Sequence, residues 1–158
     1  MKNEKIQINN NKTLKLTNVL INEVDLQESD GLEKEIFKME NYIKNKGAMP
    51  IGPLIQYTKI EHDGINEPKV VIKLLRQSNT YLHSVDNPYN MESVIRVTNC
   101  MYARFIGEED KLKFAYDKIN LTAFEEDIPL KGDSYTIFVD NADGRVTADV
   151  FMERADNE

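Results

Sequence analysis

Apolar positions follow two rhythms along this chain, one helical and one alternating, and much of the series occurs twice at an offset of 80 residues. Leu32, Ile36, Met39 and Ile43 are spaced by four, three and four, which places them along one face of a helix. Their counterparts in the second half are Leu112, Tyr116, Ile119 and Ala123. The same offset pairs Gly52 with Gly132, Val70 with Val150 and Ile72 with Met152. Met49-Pro50-Ile51 is answered by Ile128-Pro129-Leu130, one residue out of step. A repeat of this length implies two similar supersecondary units about a pseudo-two-fold axis. A small-molecule site, if the chain has one, is expected at their junction.

The elements follow from the same pattern. Residues 1–11 are polar, with Asn9-Asn10-Asn11 and no periodicity, and are expected to form a flexible tail. Thr13 to Asp25 alternates around Leu14, Leu16 and Val19 as a strand. Asp30 is placed as the N-cap of the first helix, with Glu33 completing a capping-box-like pair. Lys44, Lys46 and Gly47 mark its end. Gly52–Ile60 and Lys69–Arg76 read as strands joined by a polar loop at His62-Asp63-Gly64. The order is β-α-β-β, and it returns in the second half. Ser93–Phe105 is a strand, and Gly107-Glu108-Glu109-Asp110 opens a helix running to about Phe124 or Glu126 before Pro129. Ser134–Asp140 and Arg145–Glu153 form a hairpin around Asn141-Ala142-Asp143-Gly144.

The expected domain spans residues 12–154, with repeat one over 12–76, a linker over 77–92 and repeat two over 93–154. The linker carries Tyr81, His83, Tyr89 and Met91 and is apolar enough to fold back over something. The fold class is α+β: helices on one side of a curved antiparallel sheet that surrounds a central groove. A ferredoxin-like sandwich is the alternative, since similar element strings produce it.

Composition narrows the function classes. A length of 158 residues, 41% hydrophobic and 30% charged, suits one compact globular domain. No run approaches the ~18 consecutive apolar residues of a membrane helix, and the N-terminus shows no signal-peptide pattern. The lone Cys100 forms no internal disulfide, and the expected location is cytoplasmic. A net charge of −7 argues against direct nucleic-acid binding and mildly favours cationic ligands or basic protein surfaces.

Two β-α-β-β units with this punctuation resemble the GyrI-like small-molecule-binding domain. The residues carrying the likeness are Gly47, Gly52-Pro53 leading into Ile55-Gln56-Tyr57, and Gly107 before the second helix. Tyr135-Thr136-Ile137-Phe138 and the closing Asp149-Val150-Phe151-Met152 complete it. The likeness covers roughly residues 13–154, and it implies a mostly apolar ligand cleft between the two units. In many members an acid on the strand after the second helix binds cationic ligands; here Thr136 stands at that place, with Gln56 as its repeat partner. Nothing before Thr13 reads as a helix-turn-helix, so the expectation is a stand-alone effector-binding-type domain. The stretch from Val97 to Met152 is also similar to a family of small Firmicutes proteins encoded beside type VII secretion loci for LXG-type toxins. That likeness implies an accessory or protein-interaction role.

The chemistry-bearing residues give little to an enzyme. Nucleophilic catalysis requires a nucleophile beside a base, and the candidates are Cys100 with His62 or His83. Cys100 reads as a small buried hydrophobe mid-strand, and both histidines as solvated loop residues. Two histidines 21 residues apart do not make a metal site. No catalytic residue, metal or cofactor is assigned. A small hydrolase of GyrI-like type is the third reading, and it would need a raised pKa at Asp149 or Glu153. Tyr57, Tyr102, Tyr135, Phe138 and Phe151 all fall on strands. Pleat parity places Phe138 and Phe151 with Thr136 on the face away from the helix, and Ile137, Val139, Val150 and Met152 on the other. The expected function is a non-enzymatic module that takes a small amphipathic molecule or peptide, with Gln56, Tyr57, Thr136, Phe138 and Phe151 lining the groove. The partner is thus a ligand or a protein, with no direct nucleic-acid contact and no membrane span.

Overall fold

The computed structural model describes residues 6–25, 31–62, 64–65 and 67–156. The elements are β1 (Ile8–Val24), α1 (Leu32–Asn45), β2 (Pro50–Glu61), β3 (Lys69–Ser78), β4 (Tyr89–Glu108), α2 (Lys113–Glu125), β5 (Asp133–Ala142) and β6 (Arg145–Glu153). The fold is α+β, with two helices and six antiparallel strands, and the β-α-β-β order occurs twice. The chain divides into a central unit, Lys15–Arg96, and a terminal unit, Met1–Leu14 with Val97–Glu158. The expected cap Asp30, the loop residue Asp63 and the first five residues lie outside the described residues.

In the central unit β3 pairs with both β1 and β2, setting Leu74 opposite Asn22 and Gln56. Opposite residues in a ladder share a face. Leu20 and Leu74 therefore stand together beneath Met39 and Ile43 of α1, all fully buried. In the terminal unit β6 pairs with β4 and β5. Its helix-facing residues Ala103, Ala148 and Val150 pack with Ala115, Ile119 and Ala123 of α2. The two helical stripes read from the 80-residue repeat are thus the two core-facing stripes.

Both helices close with the same device. The Ala48 amide reaches the Ile43 carbonyl at 3.2 Å and the Gly47 amide reaches Lys44 at 3.0 Å, with Gly47 at φ 82°. Eighty residues on, Ile128 reaches Ala123 at 2.8 Å and Asp127 reaches Phe124 at 3.4 Å, with Asp127 at φ 56°. Each is a Schellman stop with one left-handed residue.

Several boundaries differ from the sequence reading. β1 begins at Ile8, so residues 8–11 are strand where a tail was expected. Their polarity misleads because the partners are polar too: Arg154 donates to the Asn10 carbonyl at 3.0 Å, and the Asn10 amide to Glu126 at 2.9 Å. Ile6 and Ile8 pack on the terminal core. β4 runs on to Glu108, pairing Gly107 with Val146, so Gly107 belongs to a strand. A Cβ there would sit 3.0 Å from the Phe105 ring, which explains the glycine. A short 3-10 turn, Glu109–Lys111, then leads into α2.

The segment between the repeats is also shorter than 77–92, because Ser78 ends β3 and Tyr89 opens β4. It folds back onto α1 of its own unit. Leu82 is buried, the Tyr42 and Tyr89 rings lie 4.7 Å apart, and the Tyr42 hydroxyl donates to Asp86 at 2.9 Å.

Candidate functional site

Within each unit the expected lining residues fall on opposite faces of the sheet. Tyr57 is on the side of β2 away from α1, opposite Lys73, whose Nζ lies 5.7 Å from its ring centroid. Gln56, one residue earlier, points to the helix side opposite Leu74 and donates to the Thr58 hydroxyl at 3.4 Å. Thr136 stands opposite Val150 on the α2 side, buried, with its hydroxyl bonded to the Tyr116 hydroxyl. Phe138 is opposite Ala148 and packs on the same core. Phe151 alone of the terminal-unit trio faces away from α2, opposite Tyr102 and Tyr135.

The expectation that Thr136, Phe138 and Phe151 share the face away from the helix is therefore corrected, and so is the placing of Ile137 on the helix side. The cause is one residue. Counting pairs regularly from the Asp143-Gly144 turn would set Thr136 opposite Phe151. The ladder instead slips between Phe138 and Asp140, leaving Val139 as a bulge and Thr136 opposite Val150. A single inserted residue reverses every face beyond it. Val150 and Met152 face the helix, as expected.

The face that remains is aromatic and charge-compensated. Tyr102 and Phe151 rings lie 4.9 Å apart at 50°, and Tyr135 flanks Phe151 on β5. Beside them, Asp149 takes both prongs of Arg104, Nε at 2.8 Å and Nη2 at 2.9 Å, and a third hydrogen bond from the Tyr102 hydroxyl at 2.7 Å. Burial pushes the Asp149 carboxyl up, but the Arg104 and Tyr102 hydrogen bonds outweigh it and hold the pKa below the usual value. Lys12 sits 4.3 Å over the Tyr102 ring. At the other end of the face, Glu153 is bonded to Lys131 at 2.7 Å. Burial raises Tyr135 to about 12, helped by Asp133 and Glu153.

These side chains meet because β4 and β6 pair across 45 residues, setting Arg104 opposite Asp149. Tyr102, Tyr135, Asp149 and Glu153 were each visible as strand residues. Arg104 was also on a predicted strand, but its pairing was not visible, nor were Lys12 and Lys131, since only the non-local register reveals these partners.

The same face offers poor catalysis. Cys100 is fully buried, its sulfur 3.6 Å from the Val97 carbonyl, and burial pushes its thiol up to about 12. Such a thiol supplies almost no thiolate at neutral pH. Asp149 is shifted down, the wrong way for a general base working near neutrality. Among the described residues no group of three or more His, Cys, Asp or Glu could hold a metal. Among the described residues no helix is long and apolar enough to cross a membrane.

An apolar hollow lies elsewhere, on the outer side of α1. It encloses about 730 Å³ beside Phe37, Asn41, Tyr42 and Tyr89 and is widely open to solvent. Glu33, Lys34, Lys38 and Asn45 rim it, so its polar groups are those of an exposed helix face and stand at the edge of the apolar floor.

No family model and no curated protein matches this sequence. Solved structures do match in fold. The cryo-EM structure of the EcmrR–DNA complex in EcmrR-RPo superposes with a TM-score of 0.63 at 13% identity, over 94% of this chain and 57% of that one. The present chain thus spans little more than half of the EcmrR chain. The structure of SAV2435 bound to tetraphenylphosphonium gives a TM-score of 0.52 at 11% identity, over 97% of this chain and 95% of that one. The chain has the GyrI-like fold that its sequence resemblance implies.

Proposed function

We propose that this chain is a non-enzymatic binding module for a small amphipathic molecule, held against the Tyr102, Tyr135 and Phe151 face of the terminal unit. Support comes from the shared fold with SAV2435, a protein whose structure holds tetraphenylphosphonium. Fold alone does not fix function, and the observation that carries the reading is local. Three aromatic rings adjoin a carboxylate whose charge Arg104 already balances. Aromatic walls supply most of the contact area in such sites, and a few placed polar groups orient the ligand.

The balance decides the ligand class. A lipophilic cation gains from a nearby carboxylate only if that carboxylate is free to pair with it. Asp149 is engaged on both oxygens. A neutral amphipathic ligand with an aromatic body and a hydrogen-bonding group therefore suits the face better than a cation.

Calorimetry with triphenylphosphine oxide and tetraphenylphosphonium tests both parts. The neutral compound is expected to bind more tightly, and Phe151→Ala to weaken it about tenfold, the usual cost of losing a buried aromatic anchor. Arg104→Gln frees Asp149 and is expected to reverse the preference in favour of the cation. Absence of binding by either compound to both proteins would refute the assignment.

A second reading, an accessory protein of a type VII secretion system, rests on the sequence resemblance alone. No feature of the terminal-unit face favours it.

A further inference from the structure

The outer side of α2 is apolar where the fold does not require it. Phe114, Leu121 and Phe124 are spaced by seven and three and so share one face of the helix. That face is turned away from Ala115, Ile119 and Ala123 in the core, and the three side chains are 49%, 57% and 81% exposed. At the offset of 80, the same three places on α1 carry Lys34, Asn41 and Lys44. The repeat thus offers a comparison: these three places are polar on one helix and apolar on the other, although α1 carries an exposed Phe37 of its own. A helix apolar on both sides is expected to be covered on both.

Charge indicates what covers it. Residues 108–127 hold seven acids against three lysines. Two of those lysines are already engaged, Lys111 with Glu108 at 3.4 Å and Lys118 with the Ile6 carbonyl. Glu125, Glu126 and Asp127 crowd the C-terminal end of α2, where the helix dipole disfavours negative charge. At the N-terminal end a notch of about 160 Å³ lies among Ile6, Phe105, Lys111 and Phe114, the size of one anchoring side chain.

We propose that the outer face of α2 is a docking site for a basic amphipathic helix of a partner protein. The partner's apolar stripe would cover Phe114, Leu121 and Phe124, with one large side chain seated in the notch. Its lysines or arginines would lie along the acidic rim. This is helix-on-helix recognition with a charged margin, in which the apolar stripe supplies affinity and the rim supplies orientation and association rate.

The test uses the full chain and a fluorescein-labelled amphipathic Leu/Lys peptide, followed by anisotropy. Saturable binding is expected, about tenfold weaker in Leu121→Asp/Phe124→Asp. Those substitutions are at exposed positions, and circular dichroism and Tm check that the fold is kept. They also add negative charge, so binding driven by charge alone would hold or strengthen, and that outcome would overturn the proposal. Glu125→Gln/Glu126→Gln should weaken binding several-fold and flatten its salt dependence. No binding to the parent chain would overturn it as well. So would sedimentation showing a dimer that dissociates in Leu121→Asp/Phe124→Asp, because a second copy would then be the occupant.

Discussion

The central unit fastens its helix to its sheet with charge, whereas the terminal unit uses two hydroxyls. Arg76, on the helix side of β3 and nine-tenths buried, reaches Glu40 of α1 at 2.7 Å and also donates to the Gly52 carbonyl in β2. At the corresponding places in the terminal unit stand Asn120 and Asp156, and no such bridge forms there. Instead Tyr116 of α2 bonds Thr136 of β5, whose counterparts 80 residues earlier are Ile36 and Gln56. The frame is duplicated and the fastenings are not. What duplication preserves is the core stripe and the helix stop, which depend on shape and backbone. The polar fastenings have diverged, because any satisfied donor–acceptor pair serves at a buried position.

The sharpest way to break this comparison is to remove one fastening from each unit. Arg76→Ala strands the Glu40 carboxylate and frees the Gly52 carbonyl. Loss of about 2 to 3 kcal/mol is expected, below the figure for a fully buried pair because Glu40 remains one-third exposed. Tyr116→Phe leaves the Thr136 hydroxyl without its partner and is expected to cost about 1 kcal/mol. Adding Thr136→Val to Tyr116→Phe should recover most of that loss, since both polar groups are then gone. Urea unfolding of the four proteins measures all three steps. Equal losses for Arg76→Ala and Tyr116→Phe would show that the charge in the central unit adds nothing.

A smaller effect separates the Arg104–Asp149 pair from these structural fastenings. The Asp149 pKa is lowered in the folded state, so its contribution to stability is present above the ordinary carboxylate value and lost as pH falls through the lowered one. The Tm of Asp149→Asn should therefore lie below that of the parent at neutral pH, and the gap should close below about pH 4. A gap unchanged down to pH 2 would mean that the pair contributes by packing and not by charge. Arg104 is half-exposed, which keeps the expected difference modest.

How far the sequence reached depends on which interactions are local. Met39 and Ile43, with Ile119 and Ala123, were legible because helical spacing is a property of neighbouring residues, and all four are buried. The Asp143-Gly144 turn was legible for the same reason. The face of Thr136 was not, because the bulge at Val139 arises from pairing with β6 and leaves no mark in the pattern of β5 itself. The pairing of Arg104 was missed because its partner is 45 residues away. Residues 8–11 were read as a tail since three asparagines resemble solvent-facing chain, and nothing nearby shows that Arg154 would meet their backbone. The errors share one source: strand register and polar partners are set by residues distant in the chain.

The two helix stops offer the finest test, because there the units share geometry and differ only in residue type. Gly47 and Asp127 hold the same left-handed place, at φ 82° and φ 56°. A Cβ at Gly47 would meet nothing within 4 Å, so the cost of Gly47→Ala is the backbone strain alone, about 1 kcal/mol. Asp127 already bears that strain, and it also sets a negative charge at the negative end of α2. Asp127→Gly should therefore stabilise, by about 0.5 to 1 kcal/mol, as strain and dipole repulsion are both relieved. Opposite signs for the two substitutions in urea unfolding are the expected outcome. If Asp127→Gly is neutral or destabilising, the acid at that end of α2 contributes to the fold through a contact of its own. The rim charge would then be explained by stability, without the basic partner proposed for that helix.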